Sequence, residues 1–117
     1  MHNFKELKIW QKSREFVKEI YRTTASFPSE EKFGLASQMQ RASVSIPSNI
    51  AEGAGRNSNK EFGRFLNIAN GSAFELETQI YLAHDLNYID SNKLEYLTEK
   101  IIEIKKMIYG FKKGLAD

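Results

Sequence analysis

The sequence predicts an all-α protein, an antiparallel up-down-up-down four-helix bundle. Apolar residues recur in steps of three and four along four separate stretches, which is the period of an amphipathic helix. Short segments rich in Gly, Asn, Ser or Pro separate these stretches, and short loops favour antiparallel neighbours. No stretch shows the alternation that is typical of a strand. At 117 residues, the chain is expected to form one domain, 1–117.

The first helix is predicted from about Phe4 to Thr24. Asn3 is the expected N-cap, and Glu6 three residues later completes a capping box. Phe27 precedes Pro28 and ends the segment, because proline disfavours helical geometry in the residue before it. The predicted inner line, with Phe16 and Ile20 as its flank, consists of Phe4, Leu7, Trp10, Val17, Tyr21 and Thr24.

The second helix is predicted from about Ser29 to Ala54 and is apolar over an unusually wide arc. Pro47 lies inside it and should kink or loosen it, because proline removes one backbone hydrogen bond. One face holds Leu35, Met39, Ala42, Ile46 and Ile50, and the arc continues through Ala36, Val44 and Ala51. A surface helix usually shows one apolar stripe, so this helix should contact neighbours on two sides. The expected stop and turn consists of Gly53, Gly55, Asn57 and Ser58.

The third and fourth helices carry the clearest apolar spacing. The third, from about Asn59 to Leu86, repeats Phe62, Leu66, Ala69, Ala73, Leu76, Ile80 and Ala83. Ser91 is the expected N-cap of the fourth, whose heptad seam consists of Leu94, Leu97, Ile101, Ile104, Ile108, Phe111 and Leu115. These seams predict a shared core, with the outward pair Phe74 and Tyr81 left for a neighbouring subunit.

The composition excludes several classes of function. There is no cysteine, so disulfides, zinc–thiolate sites and thiol nucleophiles are excluded. No apolar run reaches the length of a membrane span or a signal peptide, which predicts a cytoplasmic protein without a membrane partner. The net charge is only +2, with 17 basic and 15 acidic residues, so overall charge does not demand a polyanionic partner.

Motifs for metal or cofactor chemistry are missing. His84 is followed at the third and fourth positions by Asn87 and Tyr88, so it lacks a partner for a metal site. No Glu-x-x-His pair of the kind that holds di-iron centres is present. The glycines around Arg56 lack the spacing and the Lys-Ser/Thr ending of a phosphate loop. We therefore predict no metal, no cofactor and no catalytic residues.

A polar stripe beside the apolar arc predicts a structural network. The stripe consists of Gln38, Ser45, Asn49 and Glu52, and the expected network consists of Arg41, Asn49, Glu52, Ser72 and Glu75. A carboxylate removed from water needs a cation or several donors, so Arg41 is the natural counter-ion for either glutamate. Such networks fix the register between helices, here in the core or at a subunit interface. The alternative is a hydrolase in which Glu52 and Glu75 act as general acid and base.

Basic residues are unevenly distributed along the chain. Residues 1–60 hold 10 Lys or Arg and 6 Asp or Glu, whereas residues 61–117 hold 7 and 9. The predicted phosphate contacts are Lys5, Lys8, Lys12, Arg56, Lys60 and Arg64. Binding would be electrostatic and sensitive to salt. The sequence shows no exposed aromatic residue near these cations, so base stacking on single strands is not expected.

Several segments together carry a family resemblance. They are Phe4-x-x-Leu7-x-x-Trp10, Tyr21, Phe27-Pro28, Glu31, Phe33-Gly34-Leu35, Gln38, Arg41-Ala42, Ser45-Ile46, Asn49-Ile50-Ala51-Glu52-Gly53, Gly71-Ser72 and Glu75. The chain resembles, over nearly its whole length, the four-helix-bundle proteins encoded by intervening sequences in bacterial 23S ribosomal RNA genes. It is also similar to the accessory variability protein of diversity-generating retroelements. The resemblance implies a homopentameric ring and, from the second family, binding of nucleic acid and a protein partner.

Three functional hypotheses follow from the sequence. The leading hypothesis is a non-enzymatic homo-oligomer that binds nucleic acid with help from a protein partner. The expected ligand is structured RNA, or another RNA or DNA. The alternative is a protein–protein interaction scaffold without a role in nucleic-acid binding. The third is the hydrolase that uses Glu52 and Glu75.

Overall fold

The protein is a four-helix bundle, as the sequence predicts. The structure is a computed structural model and describes residues 1–115. Its four long helices are α1 (Lys8–Thr24), α2 (Leu35–Ala54), α3 (Asn59–Asp85) and α4 (Ser91–Lys113), and no strand occurs among the described residues. Each helix packs against two neighbours in the cyclic order α1–α2–α3–α4–α1. The predicted fold class is therefore confirmed.

The predicted seams of α3 and α4 both face the core, together with buried residues of α1 and α2. All seven predicted positions of α3 are buried, from Phe62 to Ala83. In α4, Leu97, Ile101, Ile104 and Ile108 are buried, while Leu94, Phe111 and Leu115 pack against the core at its ends. The heptad interpretation of α4 is thus confirmed, and the seam continues to the last turn of the helix.

The first helix begins later than the sequence suggests. Phe4–Glu6 forms a separate 3₁₀ turn, and Leu7 has extended geometry, with φ −80° and ψ 126°. The Asn3 side chain accepts a hydrogen bond from the Lys5 amide and therefore caps the short turn. The predicted start of the α-helix at Phe4 was wrong, because the chain bends at Leu7 before α1 begins.

The predicted inner line of the first helix was only partly right, because Thr24 and the predicted flank, Phe16 and Ile20, are buried but other members of the line are not. Tyr21 is 46% exposed, and Trp10 and Val17 are only partly buried. The residues that face the core are Ile9, Ser13, Phe16, Ile20, Thr23 and Thr24. The bend at Leu7 breaks the helical phase between the 3₁₀ turn and α1. A line that starts from Phe4 therefore runs one position away from the true core face.

The second helix starts later than predicted but ends at the predicted residue, Ala54. Ser29–Glu31 is a 3₁₀ turn, and the α-helix starts only at Leu35. It then continues through Pro47 to Ala54 without a break. Gly53 does not belong to the turn, because it is buried in the last turn of α2 against α3. A Cβ there would lie 2.7 Å from the Phe65 Cβ atom, so glycine permits the close approach of the two helices.

The loop from α3 to α4 is held by two caps. The Tyr88 amide donates to the Ala83 carbonyl and the Asn87 amide to the His84 carbonyl, at 2.8 and 2.9 Å, which is the Schellman arrangement. Asn87 has a φ of 63° and occupies the left-handed position that glycine usually fills. Asp90, not the predicted Ser91, is the N-cap of α4, because its carboxylate accepts from the Lys93 amide at 2.8 Å.

Candidate nucleic-acid interface

Helix order separates charge between the two ends of the bundle. The start of α1, the α2–α3 loop and the end of α4 share one end, because neighbouring helices are antiparallel. Among residues 1–115, from the helix midpoints to this basic end, the cations are Lys5, Lys8, Lys12, Arg14, Arg56, Lys60, Arg64, Lys105, Lys106, Lys112 and Lys113, and the acids are Glu6, Glu15, Glu52, Glu61 and Glu103. The opposite half has an acidic excess.

The other half of the bundle, the acidic end, contains more acidic than basic residues. Its cations are Lys18, Arg22, Lys32, Arg41, Lys93 and Lys100, and its acids are Glu19, Glu30, Glu31, Glu75, Glu77, Asp85, Asp90, Glu95 and Glu99. The bundle extends 46 Å along its longest axis, several times the Debye length at physiological salt. The two ends therefore present distinct electrostatic surfaces, although the net charge of the chain is small.

All six cations predicted to contact phosphate lie in the basic half and are exposed. Lys12 lines the groove between α1 and α4, whereas Lys60 and Arg64 line a groove between α3 and α4. The cations thus surround the end of the bundle on more than one side, which would suit a large polyanion better than a small one.

Two of these cations have acidic partners. The Arg56 guanidinium lies 3.0 Å from a Glu52 carboxylate oxygen, and the Arg64 guanidinium 3.7 Å from Glu61. Both guanidinium groups also lie near the Phe65 ring, at 4.7 and 5.8 Å from its centroid. These exposed ion pairs contribute little energy, so a phosphate can displace the carboxylate at modest cost.

Sequence reasoning missed the contribution of the last helix to this end. The groove beside Lys60 and Arg64 has a volume of about 370 Å³ and is completed by Lys112 from the final turn of α4. Lys113 follows it and is also exposed. The antiparallel bundle that the sequence predicts was the available signal, because it brings the end of α4 next to the start of α3.

The N-terminal segment is attached to the same end. The His2 amide donates to the Ala54 carbonyl at 2.9 Å, at the last residue of α2. The His2 ring packs edge-on against Phe62 and Phe111, with centroid distances of 5.0 and 6.1 Å. These contacts hold the N-terminal backbone against the bundle, so Lys5 lies on a segment that is attached to the basic end.

The predicted polar network is only partly assembled within one chain. The hydroxyl oxygens of Ser45 and Ser72 are 2.8 Å apart. The side-chain amide of Asn49 donates a hydrogen bond to the Ser45 backbone carbonyl at 2.8 Å. Arg41 and Glu75 are exposed, as is Glu52, which pairs with Arg56. Ser45, a member of the predicted stripe but not of the predicted network, therefore links α2 to α3. The role of the charged members at a subunit interface stays a prediction.

The geometry gives the hydrolase hypothesis no support of its own. In this hypothesis two carboxylates act as general acid and base, and they would need a site that restricts water. Glu52 and Glu75 are both exposed, and Glu52 forms an ion pair with Arg56.

The described residues, 1–115, contain no cluster of His, Cys, Asp and Glu that could bind a metal. None of their helices combines the length and the apolar character that a membrane span requires.

A tyrosine–glutamate contact ties two loops together at the acidic end. The Tyr88 hydroxyl donates to a Glu31 carboxylate oxygen at 2.6 Å, and the other oxygen accepts from the Leu35 amide at 3.0 Å. Glu31 thereby caps the start of α2. The hydrogen bond from Tyr88, followed by that from the Leu35 amide, lowers the pKa of Glu31 below its ordinary value of 4.5. The same bond raises the pKa of Tyr88 above 10.0.

This contact predicts a stability difference that depends on pH. The lowered pKa of Glu31 adds stability above pH 4.5, which is lost as the pH falls through the folded-state value. The raised pKa of Tyr88 adds stability below pH 10.0, which is lost as the pH rises through its folded-state value. Tyr88→Phe should therefore be less stable than the parent at neutral pH, and the gap should narrow in acid and in strong base.

Urea denaturation of Tyr88→Phe and the parent across this pH range checks that expectation. Tyr96→Phe is the control, because it makes the same change on an exposed tyrosine at the same end of the bundle. A gap between Tyr88→Phe and the parent that stays constant from about pH 3 to about pH 7 would contradict the link to Glu31 ionisation.

Comparisons with known proteins point to one family. The chain matches the family described as 23S rRNA-intervening sequence protein over residues 5–110. It is also similar to a solved structure from Bacteroides thetaiotaomicron, a protein with unknown function from the S23 ribosomal protein family. The two chains share 30% identity, with a TM-score of 0.83, over 90% of this chain and 95% of that one. A comparison with curated proteins found no match.

Proposed function

We propose, from the premise that the chain belongs to the 23S rRNA-intervening sequence protein family, that it is a non-enzymatic cytoplasmic homo-oligomer that binds nucleic acid. The ligand is structured RNA or another nucleic acid, and the binding surface is the basic end. Phosphates would be contacted by the six predicted cations, Lys5, Lys8, Lys12, Arg56, Lys60 and Arg64, together with Lys112 and Lys113. Charge would supply most of the affinity.

One observation carries this proposal: the separation of charge between the ends of the bundle. A balanced chain could scatter its cations among its acids, which would leave no strongly positive surface. Here the helix order collects most Lys and Arg residues at one end and most Asp and Glu residues at the other. Such a surface attracts a polyanion and orients it with respect to the bundle.

Assembly would multiply this surface. Phe74 and Tyr81 are 57% and 47% exposed on α3, and Val44 is 40% exposed on α2. Large apolar side chains exposed along two helices are typical of an interaction surface. We propose that copies pack through these residues with their basic ends on the same side, and the family resemblance favours five subunits. Light scattering after size exclusion should give a homo-oligomer; a monomer at micromolar concentration would contradict this part of the proposal.

Fluorescence anisotropy with labelled RNA tests the binding itself. A structured RNA hairpin should bind at about 50 mM salt, and its affinity should fall steeply by about 200 mM salt because bound counterions are released. Poor sequence selectivity is expected, because phosphate contacts carry no base information. Binding that is absent even at low salt, with both RNA and DNA, would exclude the proposal.

A protein-binding scaffold is the second candidate function, and one groove favours it. Between α1 and α2 lies an open apolar groove of about 440 Å³. Its lining residues include Trp10, Val17, Val44, Pro47 and Ala51, together with the cations Arg14 and Lys18. A groove of this kind suits an amphipathic helix. If the protein forms a homo-oligomer but binds neither RNA nor DNA, the scaffold function is favoured over nucleic-acid binding.

A further inference from the structure

One tyrosine on the last helix stands out by its exposure and its neighbours. Tyr109 is 64% exposed, more than any other aromatic side chain in the four long helices. Residues three and four positions away are its neighbours on the helix surface. At Tyr109 all four of these neighbours are lysines, Lys105, Lys106, Lys112 and Lys113. An exposed ring is thus bordered by cations on both sides along the helix.

The ring of Tyr109 is free of cation contacts within residues 1–115. Lys105, the least exposed of the four lysines, is bound to Glu77 and lies 4.0 Å from the centroid of the Phe74 ring. Lys106, Lys112 and Lys113 are exposed. These three lysines are therefore available to a ligand, and the Tyr109 ring is exposed to solvent beside them.

Tyr96 provides a contrast on the same helix. Its ring is contacted by Lys93 and Lys100, each with the ammonium group 5.6 Å from the ring centroid. It lies in the acidic half, and Glu99 is its neighbour three positions along the helix. The two tyrosines thus differ in their surroundings although they share residue type and helix.

The location of Tyr109 connects it to the proposed nucleic-acid interface. Tyr109 lines a shallow groove between α3 and α4 with Asn70, Phe74 and Ile102. The subunit contact proposed through Phe74 must therefore leave the Tyr109 ring open. Farther toward the basic end, the same two helices form the groove that contains Lys60, Arg64 and Lys112. The sequence indicated no exposed aromatic platform near the six predicted cations; Tyr109, in the neighbouring groove between the same two helices, is an exposed ring in the basic half of the bundle.

We propose that Tyr109 is a stacking platform for an unpaired nucleobase of a bound RNA or DNA strand. Every base has an apolar face that can stack on an aromatic ring, and the flanking phosphates would be held by Lys106, Lys112 and Lys113. The assignment rests on the proposed nucleic-acid binding and makes it more specific. It adds an interaction with single-stranded segments, such as hairpin loops, to the electrostatic contacts of the basic end.

The test compares Tyr109→Ala with Tyr109→Phe and the parent by fluorescence anisotropy, using single-stranded RNA and DNA oligonucleotides and blunt duplex RNA. Loss of a stacked base should weaken single-strand binding about five-fold to one-hundred-fold in Tyr109→Ala. Tyr109→Phe keeps the ring and should bind like the parent. Duplex RNA, which offers no unpaired base, should bind all three proteins equally. The same pattern with RNA and DNA would assign the site to the base and not to the sugar.

Two controls separate stacking from other roles. Tyr96→Ala removes the matched ring at the acidic end and should leave binding unchanged. An oligonucleotide with 2-aminopurine should lose fluorescence on binding to the parent, and this quenching should be absent with Tyr109→Ala.

Different failures have different meanings. If the parent binds no nucleic acid at low salt, the proposed function itself fails. If the parent binds but Tyr109→Ala binds single strands equally well, only the stacking assignment is overturned. A Tyr109→Ala protein that no longer forms the parent's oligomer would also overturn the assignment, because the ring would then belong to a subunit contact.

Discussion

Replacing Ile101 by alanine is expected to lower the free energy of unfolding by about 2–5 kcal/mol. Ile101 has no exposed surface and lies on the α4 seam within the main core cluster. Truncation removes three carbon atoms from a close-packed site, and the rigid neighbouring helices can refill only part of the cavity. The loss should appear in urea denaturation followed by the helical circular dichroism signal.

Ile102→Ala is the matched control for this change. Ile102 follows directly in the same helix, but its side chain is 36% exposed on the outer face of α4. The same atoms are removed there without an enclosed cavity, so the loss should be clearly smaller. Equal losses for the two variants would mean that the seam of α4 does not face the core in solution.

Reversing three charges at the basic end is expected to abolish most RNA binding. The changes Lys8→Glu, Lys12→Glu and Lys60→Glu replace attraction of phosphates by repulsion at three exposed positions. Arg56 is left intact, because its ion pair with Glu52 would otherwise become a repulsive contact. The slope of log affinity against log salt should become shallower by about one for every phosphate that the variant no longer binds. We therefore expect roughly ten-fold to one-thousand-fold weaker binding at low salt.

The matched control makes the same change of net charge at the acidic end. It carries Lys32→Glu, Lys93→Glu and Lys100→Glu, all in the acidic half. Anisotropy titrations of both triple variants should be accompanied by light scattering to show that the assembly is unchanged. Equal weakening by the two variants would show that net charge alone governs binding and that the basic end has no special role.

The fold was largely predictable because the apolar spacing of α3 and α4 is regular. Every predicted core residue of α3 is buried, since nothing interrupts the helical period between Phe62 and Ala83. The first helix was harder, because the extended geometry of Leu7 is a local choice that periodicity does not register. Gly53 was misjudged for a related reason. A glycine near a helix end suggests a turn, and only the packing against Phe65 reveals its actual role.

The candidate site was predictable in part. The cations of the N-terminal half could be found by counting charges along the chain. Charge counting along the chain did not show that Lys112, from the end of α4, lies in the same groove as Lys60 and Arg64, because that contact arises from helix packing. The Glu31–Tyr88 contact joins residues that are distant in the sequence, and no periodic pattern indicates such a pairing. The helical period predicts which residues of one helix face the core, but it does not predict which residues of two loops contact each other.

Ultraviolet cross-linking of bound RNA, followed by mass spectrometry of the attached peptides, tests the central proposal most directly. The proposal predicts cross-links in three segments of the basic end, residues 1–14, 56–64 and 105–113, including Tyr109 when the RNA contains unpaired bases. Increasing salt should weaken all three together, because they share one electrostatic ligand. Cross-links confined to the acidic end, around residues 25–34 and 86–99, would contradict the proposal that the basic end binds nucleic acid.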